Sequence, residues 1–317
     1  MIKRRGYGRE LLRTHVPWLV GEQLQPGDSP VGLIAGWGSF PIEVAEQLIR
    51  NGRKVCCIAI TDHACQSLES ICDHVKWSGV GKIGAHVKYF RKQGVRQVTM
   101  AGKLFKSDLL FQGSVWLKHF PDWTAVRTFG PCLFGRKRDS RDDRLLTAVT
   151  ETYARNDMSV CPATDFAPEL LVGEGHLVGQ PLGNKLARDA EIGWEVAKQM
   201  GGMDIGQSIT IKDGSVIAVE AVEGTDECIK RTGALCRKGG WTLVKVSKPN
   251  QDMRFDVPTI GPQTIENVAE NGGCAIVIEA DKTIMVRREQ TLAMAKKHRI
   301  TVVAFRNDAF AATKSVA

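Results

Sequence analysis

The alternation of short apolar runs with amphipathic segments in residues 31–101 limits the fold of this chain more than any other feature. The predicted elements are, in order, a strand at 31–35, a helix at 41–51, a strand at 54–60, a helix at 83–93 and a strand at 95–101. Strands that alternate with helices in this way form parallel sheets with helices on their faces. The first half of the chain is therefore predicted to be a Rossmann-like α/β domain.

The second half is predicted to be a mixed α/β domain that opens with an antiparallel hairpin. Two β-prone runs, Ile209-Thr210-Ile211 and Val216-Ile217-Ala218-Val219, flank Lys212-Asp213-Gly214-Ser215. Asp-Gly between two such runs is a strong hairpin signal. The other predicted elements are helices at 185–200, 225–238 and 262–271 and strands at 241–246, 275–279 and 300–305. Thr225 is expected to be the N-cap of its helix.

These patterns divide the chain into an extension and two domains. A length of 317 residues is sufficient for two domains of ordinary size. Residues 1–30 are expected to be a basic extension, 31–160 the nucleotide-binding domain and 161–317 the catalytic domain. The stretch at about 160–183 is rich in Gly and Pro and is the expected linker.

Four residues of the first half are candidate substrate contacts because they follow predicted strands. Ligands of parallel sheets bind at the carboxyl ends of the strands, which is where Gly36, Gly38, Gly102 and Lys103 fall. Glycines before a helix let backbone N–H groups approach a phosphate or a sugar. The alternatives are a tight turn without a ligand for the glycines and a surface charge for Lys103.

Two polar segments, 223–226 and 248–261, point to a phosphorylated substrate. Neither has the apolar period of a core element. Lys and Arg bind phosphate, and carboxylates bind a hard cation such as Mg²⁺. Candidate donors to phosphate or sugar oxygens are Lys248, Gln251, Arg254 and Thr259. The carboxylates are Asp226, Asp252 and Asp256, for which the alternatives are helix-dipole or turn roles.

With these segments the chain resembles the metal-dependent UDP-2,3-diacylglucosamine pyrophosphatases of lipid A synthesis that are unrelated to the calcineurin-like phosphoesterases. The resemblance covers roughly residues 31–305, and the segment at 248–264 is its most specific part. The other shared motifs are Gly32-Leu33-Ile34-Ala35-Gly36-Trp37-Gly38-Ser39-Phe40-Pro41, Met100-Ala101-Gly102-Lys103, Asp142-Asp143, Asp204-Ile205-Gly206-Gln207 and Glu223-Gly224-Thr225-Asp226.

The resemblance implies hydrolysis of the substrate to UMP and 2,3-diacylglucosamine 1-phosphate by attack of water on the β-phosphorus. It implies that Asp256 is essential for catalysis and that Asp226 shares the site, with Gly224 and Thr225 beside the substrate. Both aspartates are the expected ligands of Mg²⁺ or Mn²⁺, since histidines and cysteines are dispersed. Asp252 is a weaker candidate because the family accepts Glu or Asp there.

Composition limits the partners and the location of the protein. A net charge of +8 without a nucleic-acid-binding motif favours a nucleotide–lipid substrate over nucleic acid. Nine cysteines without a CxxC pair suit reduced thiols in a cytoplasmic protein. No secretory signal or membrane span is predicted, and peripheral contact with the inner face of the membrane and homo-oligomerisation are both compatible with the sequence.

Two other function classes stay open at this point. A nicotinamide-dependent oxidoreductase would use the glycine loop and Asp62, which closes the second strand where such enzymes bind ribose. That assignment leaves the polar segments unexplained. A non-enzymatic protein that senses a nucleotide or a lipid would bind uridine nucleotide without magnesium-dependent turnover.

Overall fold

The computed structural model describes residues 29–103, 121–134, 142–249, 251–255, 257–307 and 310. Two large sheets organise these residues, one in each half of the chain, and a two-stranded sheet accompanies the second. The predicted combination of a Rossmann-like parallel sheet and a mixed α/β half with a hairpin is confirmed.

The first sheet has five parallel strands in the order β3-β2-β1-β4-β5. The strands are β1 (Val31–Ala35), β2 (Val55–Ile60), β3 (His74–Ser78), β4 (Gln97–Ala101) and β5 (Ser159–Val160). Every residue of β2 is buried, because a parallel sheet is covered on both faces. The chain runs from β1 to β2 and β3 and then crosses back to β4 on the other side of β1. A crevice is therefore expected between the carboxyl ends of β1 and β4.

Helices cover both faces of this sheet. They are α1 (Phe40–Arg50), α2 (Leu68–Ile71), α3 (Ile83–Lys92), α4 (Trp123–Phe134), α5 (Asp142–Ala154) and α6 (Ala163–Phe166), followed by a 3₁₀ turn at Pro168–Leu170. One core joins Val44 and Leu48 of α1 to Phe166 of α6. A second core on the other face contains Phe90 and Tyr153.

The second sheet has six strands in the order β6-β13-β11-β9-β7-β8. They are β6 (Gly175–Val178), β7 (Ser208–Lys212), β8 (Ser215–Val219), β9 (Trp241–Lys245), β11 (Gly273–Glu279) and β13 (Thr301–Phe305). Strands β9, β11 and β13 are parallel, whereas β6, β7 and β8 add antiparallel edges. The hairpin turn has positive φ at Asp213 and Gly214, as a type I′ turn requires.

The remaining elements of the second half enclose this sheet. They are the helices α7 (Asn184–Gly202), α8 (Thr225–Leu235), α9 (Pro262–Glu270) and α10 (Arg288–Lys297) and a short parallel pair of β10 (Thr259–Ile260) with β12 (Ile284–Met285). Helix α8 ends three residues before its predicted end. Gly239 and Gly240 then take positive φ where the chain turns into β9.

The two halves touch directly. The backbone N–H of Arg287, just before α10, donates to Glu43 Oε2 of α1 at 2.9 Å. The predicted boundary at residue 160 and the linker at 160–183 stay predictions. Within the described residues, no helix has the length and apolarity needed to cross a membrane.

Candidate functional site

The loops after β1 and β4 pack backbone against backbone at the crevice of the first sheet. Trp37 N–H donates to the Lys103 carbonyl at 2.9 Å, and Lys103 N–H donates back to the Trp37 carbonyl at 3.0 Å. A Cβ atom on Gly36 would lie 2.7 Å from the Lys103 carbonyl oxygen, and one on Gly102 would lie 2.8 Å from the Trp37 carbonyl oxygen. Both glycines are therefore required by the contact of the two loops, and their predicted contact with a nucleotide stays a prediction.

Gly38 differs from these two glycines because its Cα faces open space. Its φ is +107°, and no atom lies within 4 Å of the position that a Cβ would take. It stands two residues before α1, whose first turn contains Pro41 as predicted. Exposed Lys103 lies on the neighbouring loop, so this edge combines an accessible backbone with a cation. Asp62, the ribose candidate of the oxidoreductase alternative, is exposed after β2.

In the second half, hydrogen bonds between polar side chains join the end of strand β9, the start of helix α8 and the residue after β8. Lys245, the last residue of β9, donates from Nζ to Thr225 Oγ1 at 2.8 Å. Thr225 in turn donates to Glu220 Oε1 at 2.9 Å. Lys245 and Glu220 are 6% and 8% exposed, and Glu220 Oε2 has no hydrogen-bond partner among the described residues. The expected N-cap role of Thr225 is wrong, because Gly224 is the N-cap and the Thr225 hydroxyl bonds away from the helix.

Sequence reasoning missed Lys245 and Glu220, although one signal was available for the lysine. Lys245 ends a strand whose five residues are all buried, and a lysine is almost never fully buried without a partner. Its position inside an apolar run could have marked it as a site residue.

Asp226 lies in the first turn of α8, half-buried and fixed in orientation. Its Oδ1 accepts a hydrogen bond from Asn267 Nδ2 of α9 at 2.8 Å. Gly224 before it has φ +83° and open space around its Cα. A carboxylate held by an outer hydrogen bond is typical of metal ligands, so Asp226 suits one oxygen ligand of a hard cation. Among the described residues, no group of three or more His, Cys, Asp or Glu side chains is placed to hold a metal ion.

The segment 248–255 is braced by its own polar side chains. Lys248 Nζ lies 2.6 Å from Asp204 Oδ1, so it links this segment to the loop after α7. Gln251 Oε1 accepts the N–H of Lys248 at 2.6 Å, which closes a turn. Thr259 donates to the Val257 carbonyl at 2.9 Å where β10 begins. The predicted roles of these three side chains toward a substrate stay predictions.

Arg254 and Asp252 form a two-pronged ion pair within the same segment. Arg254 Nη2 lies 2.6 Å and Nε 3.1 Å from Asp252 Oδ2. Burial raises the pKa of Asp252, but the hydrogen bonds and the charge of Arg254 outweigh it and hold the pKa below its usual range. Asp256, the predicted catalytic residue, lies outside the described residues.

Arg254 also connects the segment electrostatically to the first half of the chain. Burial raises the pKa of the Cys161 thiol, and the positive charge of Arg254 partly offsets that rise. Cys161 directly follows β5, at the carboxyl end of the first sheet. This electrostatic interaction is one link between the polar segment and the edge at which the first sheet is expected to bind ligands.

Comparison with known proteins assigns a family to this arrangement. A family model described as the LpxI N-terminal domain matches residues 30–170, and one described as the LpxI C-terminal domain matches residues 173–303. The chain is 30% identical to the UDP-2,3-diacylglucosamine pyrophosphatase LpxI of Caulobacter vibrioides over 273 residues, which cover 84% of this chain and 93% of that relative.

A solved structure, a biotin carboxylase complex from Campylobacter jejuni, is 14% identical with a TM-score of 0.22. That match covers 67% of this chain and 43% of the other, and a TM-score this low does not indicate a shared fold. The two domain matches and the full-length relative agree with each other. The chain belongs to the LpxI family.

Proposed function

We propose that this protein hydrolyses the diphosphate bond of UDP-2,3-diacylglucosamine to give UMP and 2,3-diacylglucosamine 1-phosphate in lipid A synthesis. The observation that carries the proposal is the match to the UDP-2,3-diacylglucosamine pyrophosphatase of Caulobacter vibrioides, 93% of which is covered. The two family models span both sheets and include the glycine loops, the start of α8 and the polar segment.

The two halves have different tasks in this reaction. The uridine nucleotide binds at the crevice of the first sheet, where Gly38 offers accessible backbone and Lys103 a cation. The second half contributes Asp226 and Asp256 and the donors of the polar segment. Against the effect of burial, the charge of Arg254 lowers the pKa of Cys161, which follows β5 of the first half, and this electrostatic link is compatible with a reaction centre formed by both halves.

The chemistry requires neutralisation of the negative charge on the phosphate oxygens and one oriented water. Water attacks the β-phosphorus, the bond from that phosphorus to the bridging oxygen breaks, and UMP leaves with the bridging oxygen. Arg254, Lys248 and Lys103 supply positive charge to the phosphate oxygens. Asp226 and Asp256 accept hydrogen bonds from the water and orient it.

Asp226 and Asp256 are also the residues that would hold Mg²⁺ or Mn²⁺. Asp226 fits because its carboxylate is half-buried and is fixed by Asn267 at 2.8 Å. A bound cation of this kind polarises phosphate oxygens and lowers the pKa of a coordinated water. Oxygen ligands select these hard cations over zinc.

Acyl chains have a matching apolar surface beside the site. Met203 and Ile205 are 65% and 45% exposed, and Val222 is fully exposed. Their loops touch, because a Cβ on Gly206 would lie 2.2 Å from the Glu220 carbonyl oxygen. We call these three exposed residues the apolar rim. The ion pair of Lys248 with Asp204, next to Met203, joins this rim to the polar segment. The substrate's acyl chains lie on this rim while the protein contacts the inner face of the membrane from the cytoplasm.

The decisive experiment incubates the purified protein with UDP-2,3-diacylglucosamine and Mg²⁺ and detects UMP. We expect turnover that stops with chelator and returns with added Mg²⁺. Full activity after exhaustive chelation would exclude the metal proposal alone. Binding of uridine nucleotide without turnover under any metal condition would replace the enzyme proposal with a sensing role.

A further inference from the structure

A largely buried ion pair contacts the residue that precedes the polar segment and has no part in the site described so far. Lys198 of α7 and Glu279, the last residue of β11, contact each other through both carboxylate oxygens, at 2.8 and 2.7 Å. Their side chains are 20% and 5% exposed. Lys198 Nζ also lies 5.7 Å from the centre of the Trp194 ring, which further restricts the ammonium.

The pair holds the backbone of Ser247 from both sides. Ser247 N–H donates to Glu279 Oε2 at 2.7 Å, and Lys198 Nζ donates to the Ser247 carbonyl at 2.9 Å. Ser247 is 4% exposed and immediately precedes the polar segment. The position at which the segment leaves the sheet is therefore set by two charges of opposite sign.

The restraint continues from Ser247 into the segment itself. Ser247 Oγ donates to Gln251 Oε1 at 3.3 Å, and the same oxygen accepts the N–H of Lys248 at 2.6 Å. Through these contacts the ion pair determines the direction of the turn that leads to Arg254.

Stability alone does not explain a charge pair at this place. Removing two charges from water costs free energy that their attraction often fails to recover, and neutral pairs of similar volume are frequently as stable. We propose that Lys198 and Glu279 are positioning residues, which fix the polar segment in the geometry needed for hydrolysis. The inference rests on the proposed function and names the residues that act on its catalytic segment from behind.

The test is the double variant Lys198→Met with Glu279→Gln, which removes both charges and the ammonium that bonds the Ser247 carbonyl, while an amide oxygen can still accept the Ser247 N–H. We expect Tm to stay within a few degrees of wild type and kcat for UMP release to fall at least tenfold. KM should change less, because the nucleotide binds to the other half. Hydrogen exchange should accelerate at 247–255 and stay unchanged in β9 and β11.

Asp189→Asn is the matched control. Asp189 is a carboxylate of the same helix, 2% exposed, and it accepts the N–H groups of Asp213 and Gly214 at 3.1 and 2.6 Å at the hairpin. We expect this change to lower Tm without lowering kcat, as a purely structural role predicts.

Wild-type kcat in a folded double variant would overturn the inference, and so would unchanged exchange at 247–255. If the double variant fails to fold, Lys198→Arg keeps the charge and displaces the contact with Ser247. It should lower kcat several-fold at an unchanged Tm, and unchanged kcat would again contradict the inference. Absence of turnover in the wild type would instead refute the proposed function. The hydrogen-exchange measurement would still decide whether Lys198 and Glu279 position the segment.

Discussion

Lys245 and Thr225 are joined by a hydrogen bond in which the ammonium Nζ lies 2.8 Å from the hydroxyl Oγ1. The lysine ends a central strand and the threonine begins α8, so one contact ties the sheet to the helix that carries Asp226. The Thr225 hydroxyl donates a hydrogen bond to Glu220, with Oγ1 2.9 Å from Oε1. The three side chains therefore place a buried cation and a buried carboxylate on either side of one hydroxyl.

Replacement of this lysine by Lys245→Met should reduce turnover by about tenfold or more, which corresponds to at least ~1.4 kcal/mol of barrier. The loss leaves Thr225 and Glu220 without their cation and lets the start of α8 shift. UMP release by the purified variant is the measurement. Lys212→Met is the control. Lys212 ends β7, which runs antiparallel to β9, so it lies at the opposite end of these strands, where it donates to the Gly239 carbonyl. Equal losses in both variants would contradict a specific role for Lys245.

The prediction for Asp256 follows from the family pattern of the Arg254-x-Asp256-x-Pro258 run. We expect Asp256→Ala to abolish hydrolysis, a loss of roughly a thousandfold or more, while folding and substrate binding stay largely intact. A polar stretch of this kind contributes little core packing that could be lost. Turnover and thermal unfolding should be measured on the same preparation. Near-wild-type turnover in the folded variant would refute the assignment.

Sequence reasoning was most successful where the signal is local. The apolar run of β2 is buried at all six positions, and the Asp213-Gly214 turn has the positive φ values that its residues favour. Edge strands were missed because β3 contains His74 and Lys76 and is mostly half-exposed, so its apolar signal is weak. A short strand without an apolar run has no periodicity to detect.

The site was less predictable because its contacts join residues far apart in the chain. Asn267 bonds Asp226 from 41 positions away, and Lys198 reaches Glu279 across 81 positions. No local pattern announces such pairs. The sequence did mark the polar segment as unusual, but only the structure shows that Gln251 accepts the Lys248 amide proton and braces the turn.

A pH-dependent loss of stability is expected from His86. Burial lowers the pKa of His86 to about 4, and the Gly79 carbonyl and the charge of Asp122 oppose this shift only in part. The unfolded chain takes up the proton near the usual value of 6.5, so the folded state is favoured above that pH. This contribution, at most about 3 kcal/mol, is lost as pH falls from 6.5 to about 4.

The measurement is thermal unfolding of wild type and His86→Gln at pH 7.5 and pH 5. The variant has no imidazole to protonate, so its Tm should fall less between the two values. Its Tm at pH 7.5 should itself be lower, because the ring is 3% exposed and bonds Ser78 and Gly79 at 3.1 Å. Equal decreases in both proteins would show that His86 does not contribute to the acid sensitivity.

Peripheral binding to anionic membranes is the last prediction, and it separates the apolar rim from the basic extension. Basic side chains near an anionic surface contribute on the order of 1 kcal/mol each, and the extension, outside the described residues, contains Lys3, Arg4 and Arg5. Co-sedimentation with anionic liposomes should therefore weaken at high salt and after deletion of residues 1–28. Val222→Asp should weaken it further, because a fully exposed apolar side chain at the rim becomes charged.

Leu235→Asp is the matched control for that rim. Leu235 is 65% exposed at the far end of α8, so the same change of charge at that place should leave liposome binding as in wild type. Equal and negligible binding to anionic and neutral liposomes at low salt would count against membrane attraction altogether. Unchanged binding after the deletion would remove only the role of the extension. The catalytic assignment depends on neither result, because Asp226 and the polar segment belong to the second half of the chain, outside residues 1–28.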